Sequence, residues 1–222
     1  MADVKICGLS KPAHVHAAAE AGARFVGFVF FAKSPRAVTA EEASQLSQLV
    51  PVGVAQVGLF VNPDDALLQK VLAKVPLDII QLHGSETPDR VTEVKELTGL
   101  PVMKAVGISG PEDLPALTDY GLVADMLLVD AKPPKGADLP GGNGLAFDWR
   151  LLVGRHWLRP WMLAGGLTPE NVAEAVRLTG APVVDVSSGV ESSPGVKESG
   201  LISAFVAAAA GDVAAAAGDV AR

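Results

Sequence analysis

The chain has 222 residues, 49% of them hydrophobic, with a formal net charge of −7 and a pI near 5.1. That length and apolar content support a sizeable core, and the acidic balance repels a nucleic-acid backbone, so no nucleic-acid partner is expected. The lone cysteine, Cys7, excludes an internal disulfide; no apolar run reaches the roughly 18 residues of a membrane span, and residues 1–5 are not signal-like, so a soluble cytoplasmic protein is expected.

In chain order, the apolar pattern predicts a strand over residues 4–8 and a helix over 12–22. A strand at 25–30 and a helix at 39–50 follow, then a strand at 53–60 and a helix at 63–75. The alternation continues with strands at 79–83, 102–106, 126–130, 161–164 and 183–187. Helices are predicted at 87–98, 111–120, 147–153, 169–179 and 196–210. Ser10, Asn62 and Thr168 each precede a proline that opens a helical run, as N-caps do, and Gly22, Gly99 and Gly180 each follow one. Strict alternation demands parallel strands with right-handed crossovers. An open doubly wound sheet also accommodates eight strands. The closed (β/α)8 TIM barrel is preferred because no Gly-x-Gly-x-x-Gly follows the first strand. The barrel is assigned to residues 1–210 as a single domain. Residues 211–222 form an Ala-rich low-complexity tail, in which 213–219 repeats the pattern of 206–212. Residues 131–144, rich in Pro, Gly and Lys, follow the sixth strand and read as either a surface loop or a lid over the barrel mouth.

Barrel chemistry sits at the C-terminal ends of strands, so the informative residues are polar ones that end a strand with inward parity. Lys5 and Cys7 share one face of the first strand. A lone buried cysteine is commonly inert, but a neighbouring lysine lowers a thiol's pKa and makes it a base. Asp130 points inward above Met126 and Leu128, and apolar surroundings of that kind favour a protonated carboxyl, a general acid; pairing with Lys132 is the plainer reading. Gly165 and Gly166 after the seventh strand, with Ser188 and Gly189 after the eighth, suit close backbone approach to a phosphate, aided by a helix opened at Thr168-Pro169. Arg36 suits a substrate carboxylate or is a solvated loop arginine. His83 ends the fourth strand as a ligand donor or a structural hydrogen-bonder, and Asp185 shares parity with Ser187 as a supporting or sugar-hydroxyl contact. The four histidines are scattered and no metal-ligand spacing occurs, so no metal and no cofactor are expected.

Several segments carry a resemblance in order. They include Lys5-Ile6-Cys7-Gly8, Lys33-Ser34-Pro35-Arg36, Gln81-Leu82-His83-Gly84, Leu128-Val129-Asp130, Ala164-Gly165-Gly166 and Asp185-Val186-Ser187-Ser188-Gly189-Val190-Glu191. Together they resemble the phosphoribosylanthranilate isomerase family over nearly the whole chain, the tail excepted. The resemblance implies an Amadori rearrangement of a phosphorylated sugar–anthranilate substrate, a step of tryptophan biosynthesis. It implies that Asp130 is the general acid and Cys7 the general base. Arg36 would hold the anthranilate carboxylate, and the loops after strands seven and eight the phosphate. Two departures stand out. Lys11-Pro12-Ala13-His14 lacks an acidic residue, and Asn143 stands where a hydroxyl residue is expected. The resemblance leaves open a second related aminoaldose substrate and whether the chain is a monomer or a homodimer. An indole-glycerol-phosphate synthase would call for more strand-end lysines than Lys5 and Lys104, a ribulose-phosphate epimerase for strand-end histidines and usually a metal. A non-catalytic phosphate-binding barrel would have no use for both Cys7 and Asp130.

Overall fold

Side chains that alternate along a short strand can bury one face inside a cylinder of strands and the other under helices. The computed structural model describes residues 1–132, 141–142 and 144–211, and it has this form. Strands β1 Asp3–Cys7, β2 Phe25–Val29, β3 Ala55–Phe60, β4 Ile79–Leu82, β5 Val102–Ile108, β6 Met126–Ala131, β7 Trp161–Leu163 and β8 Val183–Val186 lie side by side in chain order. All neighbours are parallel, and β8 returns to pair with β1, so the sheet is a closed barrel rather than an open sheet. Helices α1 Pro12–Glu20, α2 Ala40–Ser47, α3 Asp65–Leu72, α4 Pro88–Thr98, α5 Leu114–Val123, α6 Val172–Thr179 and α7 Ser199–Ala210 connect or follow the strands.

The predicted parity holds. Val57, Ile79, Met103, Leu128 and Met162 form an apolar plug inside the barrel, with Cys7, Val29 and Leu59 nearer the C-terminal mouth. Ile6, Phe28, Ile80, Val106, Val129 and Val184 face the helices in the main core. A pocket open to a ligand can therefore lie only above the plug, at the C-terminal mouth.

Two predicted helices are corrected. Residues 147–153 form only a 3-10 turn, Trp149–Leu152. Asp148 accepts the Arg150 N–H at 3.0 Å, Gly154 takes φ +69° just beyond, and the span between is too short to repay helix nucleation. Residues 196–210 open not as helix but as a hairpin of β9 Glu191–Ser193 with β10 Val196–Lys197, and α7 begins at Ser199. Gly195, at φ +84°, supplies the turn that a helical pattern cannot reveal.

The N-caps also lie further along than expected. Lys11, Asp64 and Asn171 hold those positions rather than Ser10, Asn62 and Thr168. Asp64 accepts the Leu67 N–H at 2.8 Å, and Asn171 accepts the Thr168 N–H at 2.8 Å in a turn that precedes α6. Thr39 and Glu42 cap α2 reciprocally, and Gly99 and Gly180 end α4 and α6 in the left-handed conformation. Gly22 sits one residue beyond the Ala21 cap of α1. The tail expected over 211–222 lies outside the described residues, apart from Gly211, which caps α7 at φ +84°.

Phe28 is fully buried between the barrel and its helices. Phe28→Ala should lower the unfolding free energy by about 3–5 kcal/mol, read by urea denaturation. An unchanged midpoint would contradict this packing.

Candidate active site

Strand ends from around the barrel and the loops after β2, β6, β7 and β8 build one pocket at the C-terminal mouth. Cys7, Arg36, His83, Asp130, Asp185 and Ser188 line it together with the Gly165-Gly166 pair. Cys7 on β1 and Asp130 on β6 are separated around the barrel by β7 and β8, so they approach the pocket from different sides. Gly189 is not part of the wall. A side-chain carbon there would lie 1.9 Å from the Leu167 carbonyl oxygen, so packing of the loop requires glycine at that position.

On the β1 side, Lys5 Nζ donates to Asp185 Oδ1 at 2.7 Å, with both residues buried and directly paired in register across β1 and β8. Gly27 on β2 leaves room beside them. A Cβ there would come within 3.0 Å of Cys7 Sγ and 3.4 Å of Lys5 Nζ. Ser187 donates its hydroxyl to the Cys7 carbonyl at 3.1 Å, which fixes the end of β1 against the end of β8.

On the β6 side, Asp130 accepts the Ala131 N–H through Oδ1 at 2.8 Å. Its Oδ2 lies 3.2 Å from His83 Nε2. Leu128 lies below, as parity predicts, but the neighbours at the carboxylate itself are polar, which corrects the apolar surroundings expected for it. Lys132 reaches Asp113 instead, at 2.5 Å, so the alternative pairing of Asp130 with Lys132 is not formed. Gln81, inward on β4 and fully buried, contacts His83 Nδ1 through Nε2 at 2.9 Å. With Gln81 as the donor, Nδ1 is the acceptor and His83 carries its proton on Nε2, facing Asp130. Inward parity with Ile79 and His83 was the signal for Gln81 in the sequence.

The expected lid is described only at its ends, since residues 133–140 and Asn143 lie outside the described residues. Gly141 lies so close that a Cβ would fall 2.5 Å from His83 Nε2 and 2.9 Å from Asp130 Oδ2. One at Gly142 would fall 2.7 Å from Arg36 Nη1. At these positions the loop is glycine because its backbone touches the polar groups of the pocket. Gly165 and Gly166 have φ of +87° and +62°, which side-chain-bearing residues rarely adopt, and they too press against the chain after β6. The helix dipole expected from Thr168-Pro169 is displaced, because α6 starts at Val172.

With this geometry in place, the chain was compared with known proteins. A family model described as N-(5'phosphoribosyl)anthranilate (PRA) isomerase matches residues 4–208. The chain belongs to the PRA isomerase family. A PRA isomerase of Paracoccus denitrificans is 72% identical over 206 residues, 93% of this chain and 96% of its own length. A crystal structure of the enzyme from Thermotoga maritima superposes with a TM-score of 0.86 at 37% identity, covering 95% of this chain and 100% of its own. A further PRA isomerase structure, in complex with reduced 1-(o-carboxyphenylamino)-1-deoxyribulose 5-phosphate, gives a TM-score of 0.81 at 35% identity, covering 95% of this chain and 100% of that one.

Within this PRA isomerase site, the electrostatics correct one expectation. Burial pushes the Cys7 thiol up; Lys5 and Lys197 pull it down and Asp185 pushes it further up, and the net direction is up. Desolvation of the thiolate outweighs the neighbouring lysine that was expected to dominate. Lys5 is itself held above its usual range, because Asp185 and Cys7 together overcome the effect of burial. Sequence reading missed Lys197, which sits on the unforeseen β9–β10 hairpin, and gave no role to Glu191 beside it. Among the described residues, no group of three or more His, Cys, Asp or Glu is placed to hold a metal ion, and no helix is long and apolar enough to cross a membrane.

The thiol of Cys7 is the only one in the chain, so alkylation reports on it alone. Iodoacetamide modification of the free protein should accelerate with pH, with a midpoint above the ordinary thiol range, and Lys5→Met should move that midpoint higher. A raised folded-state value also means that the thiol stabilises the fold below its unfolded value, an effect lost as pH rises through the folded one. A midpoint at or below the ordinary range would contradict the dominance of burial.

Proposed function

We propose that this chain converts N-(5-phosphoribosyl)anthranilate to 1-(2-carboxyphenylamino)-1-deoxyribulose 5-phosphate by an Amadori rearrangement, in tryptophan biosynthesis. The observation that carries this reading is the meeting of Cys7 and Asp130 in one pocket from different strand ends, with a cation and a glycine-lined loop pair beside them.

Asp130, in its acid form, delivers a proton to the furanose ring oxygen. The C1–O bond breaks and an iminium forms between C1 and the anthranilate nitrogen. His83, 3.2 Å from Asp130 Oδ2, holds the carboxyl toward the pocket, and water returns the proton between turnovers. The thiolate of Cys7 then removes the proton from C2, and the electron pair left behind forms the C1–C2 double bond of an enolamine. Protonation at C1 and loss of the C2 hydroxyl proton give the ketone.

A C–H next to an iminium is acidic, so a base that is only partly ionised suffices. Burial lowers the population of thiolate but makes each thiolate a stronger base. Arg36 receives the anthranilate carboxylate. The phosphate takes the rim formed by Gly165, Gly166 and Ser188, with Gly189 holding the loop behind them. Asp185 keeps Lys5 charged beside the thiol and faces the sugar hydroxyls. Two anchors at opposite ends of the substrate hold C1 and C2 between the acid and the base, which converts binding energy into orientation.

The test is the decay of anthranilate fluorescence as purified protein turns over freshly formed substrate. Cys7→Ala and Asp130→Ala should each reduce kcat by about 10²- to 10⁴-fold while leaving the folded circular-dichroism spectrum intact. Normal turnover by either variant removes that residue from its role. Arg36→Ala should chiefly raise KM, and unchanged Michaelis behaviour would refute the carboxylate contact.

A further inference from the structure

A guanidinium has two edges suited to a carboxylate, one formed by Nε and Nη2 and the other by Nη1 and Nη2. In this protein the first is occupied. Arg36 Nε donates to Glu191 Oε1 and Nη2 to Glu191 Oε2, each at 2.8 Å, with the Glu191 side chain 3% exposed. On the other edge, at the pocket, Nη2 also donates to the Gly142 carbonyl oxygen at a long 3.4 Å, and Nη1 lies against Gly142. Arg36 is thus held by one carboxylate with its Nη1–Nη2 edge turned to the pocket, where a second carboxylate would take the place of the long contact to Gly142.

A single Arg–Glu pair is neutral, and its carboxylate would repel an incoming one. Lys197 changes that balance. Its Nζ donates to Glu191 Oε1 at 2.7 Å, to the Ser187 carbonyl oxygen at 2.9 Å and to Ser187 Oγ at 3.2 Å. Three acceptors match the three N–H bonds of an ammonium, which is the form the geometry requires. Burial pulls Lys197 down, while Glu191 and Cys7 oppose it and Arg36 adds to it. Glu191 is held below the usual carboxylate range, because Arg36 and Lys197 together outweigh the upward push of burial. Two cations against one carboxylate leave a charge of plus one, enough for one further carboxylate.

We propose that Glu191 and Lys197 are positioning residues for substrate recognition: Glu191 orients Arg36, and Lys197 preserves the net positive charge that selects a carboxylated aromatic amine. This deepens the proposed function and rests on its assignment of Arg36 to the substrate carboxylate. The unit lies on the β9–β10 hairpin that follows the eighth strand, so specificity for the amine is built into an addition to the barrel rather than into the strand ends.

The experiment compares two substrates, the phosphoribosyl adducts of anthranilate and of aniline, the second lacking only the carboxylate, with products separated by chromatography. The wild-type enzyme should prefer the first. Glu191→Gln and Lys197→Met should each raise KM for the anthranilate adduct about tenfold, while any change in kcat is shared by both substrates, so that the preference in kcat/KM for the anthranilate over the aniline adduct falls about tenfold. Lys197→Arg should retain the preference, and Glu191→Gln should add nothing in an Arg36→Ala background. Equal losses on both substrates, no loss on either, or full additivity with Arg36→Ala would overturn the proposal. If Glu191→Gln does not fold, Lys197→Met decides by the same comparison. A preference that survives Arg36→Ala overturns the underlying role of Arg36, whereas one lost in Arg36→Ala but kept in both other variants overturns this proposal alone.

Discussion

The pairing of β8 with β1 is the constraint on which the site depends. It sets Lys5 opposite Asp185 in register, and both side chains point inward to form an ion pair at 2.7 Å. A slip of one residue between the two strands would turn one of the charges toward the helix layer and leave the other alone inside the barrel. Leaving either charge buried without the other is costly, by about 3–5 kcal/mol, so the ion pair opposes such slippage. Cys7 and Ser187 lie two residues beyond the pair on the two strands, and the Ser187 hydroxyl joins them. Cys7, Lys5 and the loop after β8 are therefore placed by the same closure that completes the fold.

The two chemical groups are supported differently. Cys7 lies in a buried setting whose charges are fixed by strand pairing. Asp130 lies under the loop after β6, between the backbone amide of Ala131 and a histidine that is in turn held by Gln81. Cys7 is placed by the barrel and Asp130 by a chain of side chains along β4.

Much of this was legible in the sequence, because period-two alternation is a local property. It placed eight strands, their order and the inward set that contains Cys7, His83, Asp130 and Asp185. The failures have physical causes. The stretch around Trp149 has a helical apolar spacing, yet its length permits only a 3-10 turn. The hairpin at Glu191–Lys197 is two very short strands beside a helix, and its apolar residues merge with the helical pattern of α7. Lys197 thus looked like an ordinary helix-surface lysine, although it is buried in the site. The direction of the Cys7 shift depends on how deeply the thiol is enclosed, a quantity that the neighbouring residue types do not contain. The family resemblance supplied roles for individual residues that alternation alone leaves open.

The enclosure of Cys7 also affects its chemical durability. Peroxides attack thiolates, and a sulfenic acid is commonly rescued by a second thiol, which this chain does not possess. A thiol kept protonated by burial and only 4% exposed is shielded from oxidants. The cost in resting basicity is thus also protection for an enzyme with no spare cysteine to undo the damage.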